Sequence, residues 1–250
     1  MQKIFVSMFF LLLLSACTKY TTVRQSANFK KSDLETSKFI VLPSEAIAYE
    51  KGYFGQAKRL YDYEAHIETL VTDKLVSHLQ SMGYDAISLS QYEIYKSKIS
   101  PKMLELRELY QPAIIELYKE VIMPQEEAHN IVSKINIPYE VSQLALLKLG
   151  NKNKALLVFC DYSHTAYNNS ARVMSSLMTL VVGEYSNYDT ASIRVGIVNS
   201  DTGEILWSND TTISAEQFRG TFSGYNEESD NAMADSLVKL VLSPIIHDAN

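Results

Sequence analysis

Thr190–Thr212 reads TASIRVGIVNSDTGEILWSNDTT, and this stretch decides the fold class. Ile193, Val195 and Ile197 alternate with Ser192, Arg194 and Gly196, and Ile205 and Trp207 continue the alternation on the far side. A period of two sends every second side chain to the same face of a strand, the pattern of a sheet with one apolar face. Between the two runs lies Ser200-Asp201-Thr202-Gly203, a tight turn with glycine where a positive φ is needed. The spacing predicts a β-hairpin with strands over 190–199 and 204–212. A chain with such a hairpin needs something to cover its apolar face, and the flanking sequence supplies it.

Upstream, Lys154-Ala-Leu-Leu-Val-Phe-Cys-Asp161 is nearly all apolar, as expected of a central strand covered on both sides. Cys160 lies inside it and reads as a small hydrophobe. Tyr162–Ser170 reads as a polar loop. Helical spacing recurs over 64–82 (Ile67, Leu70, Val71, Leu75, Leu79, Met82, then Gly83) and over 139–149 (Val141, Leu144, Ala145, then Gly150). It recurs again over 171–183. Downstream, Asp230 is placed to cap a last helix carrying Met233, Leu237, Val238, Leu240 and Val241, with Pro244 as its end. Lys38–Pro43 and Tyr84–Leu89 read as short strands, and Ser44–Asp62 as a long loop. The order predicts an α/β fold: a small mixed-sheet α/β sandwich running strand, helix, strand, helix, strand, hairpin, helix, in a single domain over 38–246.

Residues 91–137 interrupt that order. Pro101 opens a helical pattern over Met103, Leu104, Leu106 and Leu109, Pro112 is expected to break it, and Pro124 with Glu126 and Glu127 marks a further helix start. The segment reads as a helical insertion. Its Glu105, Glu108, Glu116 and Glu120 beside Lys102, Arg107 and Lys119 read as a solvated face, on which a partner could also dock.

The N-terminus carries an address. Lys3 is followed by an apolar run over 4–14, broken only by Ser7, and then by Ser15, Ala16 and Cys17. That is the order of a secretory signal peptide, and the run is about half the ~20 residues a membrane-spanning helix requires. Leu14-Ser15-Ala16-Cys17 resembles the bacterial lipobox. The resemblance implies cleavage of residues 1–16, a diacylglyceryl group on the Cys17 thiol and further acylation of the new N-terminus with palmitate-type chains. Two or more chains are what stable anchoring needs. Thr18 is not the Asp associated with inner-membrane retention, which leans towards the periplasmic side of the outer membrane. Residues 17–37 are polar and read as the lipidated cysteine plus a flexible tether, twenty residues of coil spanning ~25 Å.

The 250-residue chain has 23 basic and 29 acidic residues. Loss of Lys3 with the leader leaves 22 against 29, a net charge of −7, which argues against a nucleic-acid partner. With Cys17 acylated, Cys160 has no disulfide partner.

Two junctions carry a wider resemblance. Leu149 to Val158, a helix ending Leu-Gly followed by Ala-Leu-Leu-Val, and Asp201-Thr-Gly-Glu-Ile-Leu-Trp207 are similar to motifs of certain envelope lipoproteins. These are the penicillin-binding-protein activators, the curli-secretion lipoproteins, a meningococcal antigen-type family, and the N-terminal domain of TolB. The resemblance spans roughly 38–90 and 139–243 and implies the same small α/β sandwich. The 91–137 insertion departs from the compact pattern.

No residue cluster points to chemistry. His66, His78, His129, His164 and His247 show no metal-ligand spacing, and there is no phosphate-binding glycine loop. Asp161-Tyr162-Ser163-His164 holds acid, nucleophile and base types without a nucleophile elbow. No catalytic, cofactor-binding or metal residue is therefore expected, and no cofactor. Trp207 reads as sheet packing rather than a binding hot spot. The expected function is that of a lipid-anchored envelope protein that binds or helps assemble another envelope protein. The alternatives are a subunit of an oligomeric outer-membrane secretion channel, for which 171–188 is the candidate barrel strand, or an envelope hydrolase built around His164.

Overall fold

The computed structural model describes residues 20–52, 54–119, 133–168, 170, 171, 173, 189–215 and 227–247. The elements are β1 (Tyr20–Gln25), α1 (Lys31–Glu35), β2 (Ser37–Val41), β3 (Glu45–Lys51), β4 (Ala57–Arg59), α2 (Tyr61–Ser81), β5 (Asp85–Ser88), α3 (Gln91–Lys96), α4 (Ser100–Lys119), α5 (Tyr139–Lys148), β6 (Lys154–Tyr167), β7 (Thr190–Asn199), β8 (Ile205–Ser214) and α6 (Glu227–His247). The strands form one mixed sheet in the order β1-β8-β7-β6-β2-β5. β3 carries β4 on its outer side and lies beside β6 beyond β2. The chain is a mixed α/β sandwich.

Strand β6 organises it. Its first half pairs in parallel with β2 and its second half in parallel with β3, while β7 runs antiparallel along the other side. Leu156, Val158 and Cys160 enter the core beneath α2 and α6, and Ala155, Leu157 and Phe159 enter the core beneath α3–α5. A strand clothed on both faces has no polar position to alternate with, hence its unbroken apolar run.

The hairpin β7–β8 forms as predicted, with Ile193, Val195, Ile197 and Trp207 buried on the α2/α6 side, but a register irregularity between Ile197 and Val198 breaks the expected alternation at the start of β8: Leu206 joins Trp207 on that side and Ile205 enters the α3–α5 core. Gly203 has φ +68, and its amide donates to the Asn199 carbonyl at 2.9 Å. A Cβ there would also collide with the Ile135 carbonyl oxygen, because 133–135 runs beside the start of β8: Ile135 N–H donates to Gly203 O at 2.8 Å and Ile205 N–H to Ser133 O at 2.9 Å. The next residue, Glu204, accepts from the Ser26 hydroxyl and, at 3.0 Å, from the Asn28 amide. The Gly-Glu pair of the turn thus fastens both the end of the insertion and the exit from β1.

Several expectations are corrected. The polar stretch 17–37 is not all tether: β1 and α1 occupy 20–25 and 31–35. An edge strand needs only one inward residue, and Val23 supplies it by packing on the α2/α6 core. The expected loop over 44–62 contains β3 and β4, whose inward residues Ala46 and Ala48 are too small to register as an apolar alternation. The expected loop after Asp161 is a continuation of β6 to Tyr167, with Tyr162, His164 and Ala166 inward.

Pro112 does not break α4, nor does Pro244 end α6. A mid-helix proline costs ~3 kcal/mol. Leu106, Tyr110, Ile114 and Leu117, buried on either side of Pro112, contribute ~1.5–3 kcal/mol each and outweigh it. At Pro244 the Leu240 carbonyl, deprived of its usual amide, accepts from the Ser243 hydroxyl at 2.8 Å. Asp230 lies within the first turn of α6 rather than at its cap. The expectations for Cys17, Pro124 and 174–188 lie outside the described residues.

Candidate functional site

The helices of the insertion, with α5, form the outer layer of one face, and the sequence builds that layer from the sheet outward. Tyr110 lies flat on Phe159, ring centroids 4.0 Å apart and planes 10° inclined. Gly196 makes this possible, since a Cβ at that position would overlap the Tyr110 hydroxyl. Ser90 and Glu93 form a capping box at the start of α3, with Ser90 Oγ accepting from the Glu93 amide at 3.2 Å and Glu93 Oε2 accepting from the Ser90 amide at 3.0 Å. The same Glu93 pairs with Lys148 and so ties α3 to α5. Lys148, and then the Ser90 amide, hold its carboxyl below the usual range.

With that inward face satisfied, the outward face carries Tyr92 and Tyr95 on α3, Leu104, Leu109 and Ile115 on α4, and Tyr139, Leu146 and Leu147 on α5. Tyr95 is 77% exposed and Leu147 82%. Of the twelve exposed large apolar side chains among the described residues, these eight lie on one layer, which sets that layer apart from the rest of the surface. Of the charges expected to solvate it, Lys102 and Glu105 do pair on the surface at 2.8 Å.

Arg107 instead turns inward. It lies over the Phe159 ring, donates to the Pro43 carbonyl, and pairs with Asp161 at 3.3 Å and Glu45 at 3.4 Å. Gln111 donates to the same Asp161 oxygen at 2.9 Å. Burial pushes the Asp161 carboxyl up, and the Arg107 guanidinium pulls it back. One row along, Arg194 grips Asp210 at 2.6 Å, and Tyr118 sits between the Arg194 and Arg24 guanidinium groups, 4.8 and 5.6 Å from its ring centre. The Tyr118 hydroxyl meets Ser208 Oγ at 2.9 Å, and burial pushes it up to about 12. These contacts hold α4 to the sheet. Sequence reasoning missed them, because an arginine in a charge-rich helix looks the same whether it points in or out.

The strand geometry of β6 separates the groups that a hydrolase would bring together. Asp161 and Ser163 face the α4 side, while Tyr162 and His164 face α2 and α6. His164 is 3% exposed, and its Nδ1 lies 3.3 Å from the Tyr63 hydroxyl, which is 3.4 Å from Asp230 Oδ1 and from the Tyr162 hydroxyl. Burial pushes the His164 imidazole down to about 4, so it is neutral near pH 7. His164 therefore does meet an acid, Asp230, through Tyr63, but within the core and on the far side of the sheet from Ser163. On α2, His66 and His78 each reach a carboxylate of α6, Asp230 at 3.8 Å and Asp235 at 2.9 Å.

Cys160 is fully buried, and burial pushes its thiol up to about 12, as expected of a structural cysteine. Trp207 is buried in the α2/α6 core, in keeping with a packing role. Among the described residues, no group of three or more His, Cys, Asp or Glu side chains is placed to hold a metal ion.

No protein-family model matches the chain, and no curated protein matches it in sequence. Among solved structures, the chain is similar to the PelC dodecamer from Paraburkholderia phytofirmans, at 11% identity over 91% of this chain and 97% of that one, with a TM-score of 0.37. A point variant of that dodecamer gives 11% identity, 92% and 97% coverage, and a TM-score of 0.36. Lipoprotein GNA1162 from Neisseria meningitidis gives 11% identity, 85% and 99% coverage, and a TM-score of 0.31. Likenesses at this level carry no argument about activity or assembly.

Proposed function

We propose that the protein is a lipid-anchored lipoprotein of the cell envelope, held through Cys17 on the periplasmic side of the outer membrane. It binds another envelope protein through the α3–α5 layer and performs no catalysis. The carrying observation is the concentration of exposed large apolar side chains on that layer. Aromatic and aliphatic anchors that leave water on docking gain ~1.5–3 kcal/mol each, and a few such residues dominate a protein interface. The Leu14–Cys17 lipobox supports the anchor. No helix among the described residues is long and apolar enough to cross a membrane.

A photo-crosslinking residue at Tyr95 or Leu147, in intact cells, tests the surface. A discrete adduct is expected from both positions and none from Asp73 on the exposed side of α2. Equal adducts from Asp73, or none from the α3–α5 layer, would overturn the reading. Incorporation of a fatty-acid analogue tests the anchor, since label retained in a Cys17→Ala strain would sink it.

A further inference from the structure

The β3–β4 hairpin ends in a small turn. The Gly52 amide donates to the Gln56 carbonyl at 2.7 Å and the Gly55 amide to the Gly52 carbonyl at 3.1 Å. Gly55 has φ +76, and no heavy atom lies within 4 Å of where its Cβ would stand. The turn displays Phe54, which at 86% is the most exposed large apolar side chain among the described residues. Lys51 ends β3, and Lys58, in the middle of β4, stands opposite Glu50.

The registers say where this tip points. Tyr20, the first residue of β1, is level with Thr212, Ser192, Ser163 and Ile47. β3 runs four residues beyond Ile47 to Lys51, towards the same end of the sheet, so the tip stands ~13 Å past the level of Tyr20. Cys17 is three residues before Tyr20 and reaches at most ~11 Å past that level. Sheet twist splays the two ends, so a plane resting on both is inclined to each strand. The lengths match: a surface holding the lipid of Cys17 is within reach of Phe54.

We infer that the β3–β4 tip rests on the bilayer that holds Cys17, with the Phe54 ring in the headgroup region and Lys51 and Lys58 on anionic lipid headgroups. This rests on the lipidation of Cys17 proposed above. An aromatic ring flanked by lysines suits the membrane interface, where the ring leaves water and the ammonium groups stay hydrated. The charge pattern agrees: with Lys51 and Lys58 against Glu50, residues 50–58 are net positive on a chain of net −7 after cleavage, which an anionic surface would otherwise repel.

The test uses the lipidated full chain in vesicles of phosphatidylethanolamine and phosphatidylglycerol whose acyl chains are brominated near the headgroup. A fluorophore is attached at Gln56→Cys or, as a control at the opposite end of the sheet, at Asp201→Cys. Quenching at position 56 at least about threefold stronger than at 201, and abolished by Phe54→Ser with fatty-acid labelling unchanged, is the expected result. A labelled, vesicle-bound protein with equal quenching at the two positions would overturn the inference and leave the anchor standing. A blue shift at 56 without bromine quenching would assign the tip to a protein partner and equally overturn it. Absence of fatty acid on Cys17 would remove both readings.

Discussion

Gly196→Ala puts a methyl group where the Tyr110 hydroxyl lies, with the ring carbons Cζ and Cε2 at 3.0 and 3.1 Å. The ring has nowhere to retreat, because it is fully buried and stacked on Phe159. Overpacking of this kind costs ~1–3 kcal/mol. Alanine returns ~0.5–1 kcal/mol over glycine inside a strand. With the Cβ overlapping the hydroxyl oxygen the overpacking cost lies at the upper end, ~2–3 kcal/mol, so the net is a destabilisation of ~1–2.5 kcal/mol, or a fall in Tm of roughly 2–10 °C for a domain of this size. The Tyr110 hydroxyl is buried without a hydrogen-bond partner among the described residues, so Tyr110→Phe removes an unpaired polar group and is expected to be neutral or stabilising. In the double variant the methyl group meets only ring carbons, and the two changes should couple by at least ~1 kcal/mol. Urea and thermal denaturation of the four proteins measure the cycle. A Gly196→Ala protein as stable as wild type, or strictly additive changes, would refute the packing argument that fixes α4 on the sheet.

Acid should weaken the fold through His164. Unfolded, it takes up a proton near pH 6.5, whereas folded it resists until about 4, so its contribution is whole above pH 6.5 and is lost as the pH falls towards 4. At about pH 5 the loss is roughly 2 kcal/mol, and His164→Gln should flatten the stability profile by that amount; parallel profiles would count against it. The Asp230 carboxyl, pushed up by burial, offsets part of the loss at the acid end. Glu204→Ala removes the acceptor shared by Ser26 and Asn28 and should cost ~2 kcal/mol while exposing 26–30 to proteases. Mass mapping of limited digests checks it, and an unchanged cleavage rate would argue that β1 is held by its ladder alone.

What was legible in the chain follows the strength of local pattern. The β7–β8 hairpin and the first half of β6 were plain because period and turn chemistry agree there. β1 and β3 were hidden because Val23, Ala46 and Ala48 carry too little apolar weight, and the strands that join them to the main sheet, β8 and β6, lie more than a hundred residues away. The α4 stripe was read from Met103, Leu104, Leu106 and Leu109, while Leu106, Tyr110, Ile114 and Leu117 are the deepest. Apolar residues occupy both sides of that helix, so periodicity alone could not choose between them. That two-sidedness is itself the signature of the α3–α5 surface. Arg107 and Pro112 were misread for a related reason: local propensity has no knowledge of the sheet beneath.

The pairing of β1 with β8 also sets an order of events. A chain is made from its N-terminus, and Tyr20–Gln25 find their partners at Trp207–Thr212. Closing a loop of that length comes late and slowly. Until nearly the whole polypeptide is present, Tyr20–Gln25 stay outside any ladder. Once β8 arrives, the same residues become an edge of the sheet. The topology therefore makes the first strand of the chain wait for the last, so that the sheet closes only when its two most distant segments meet.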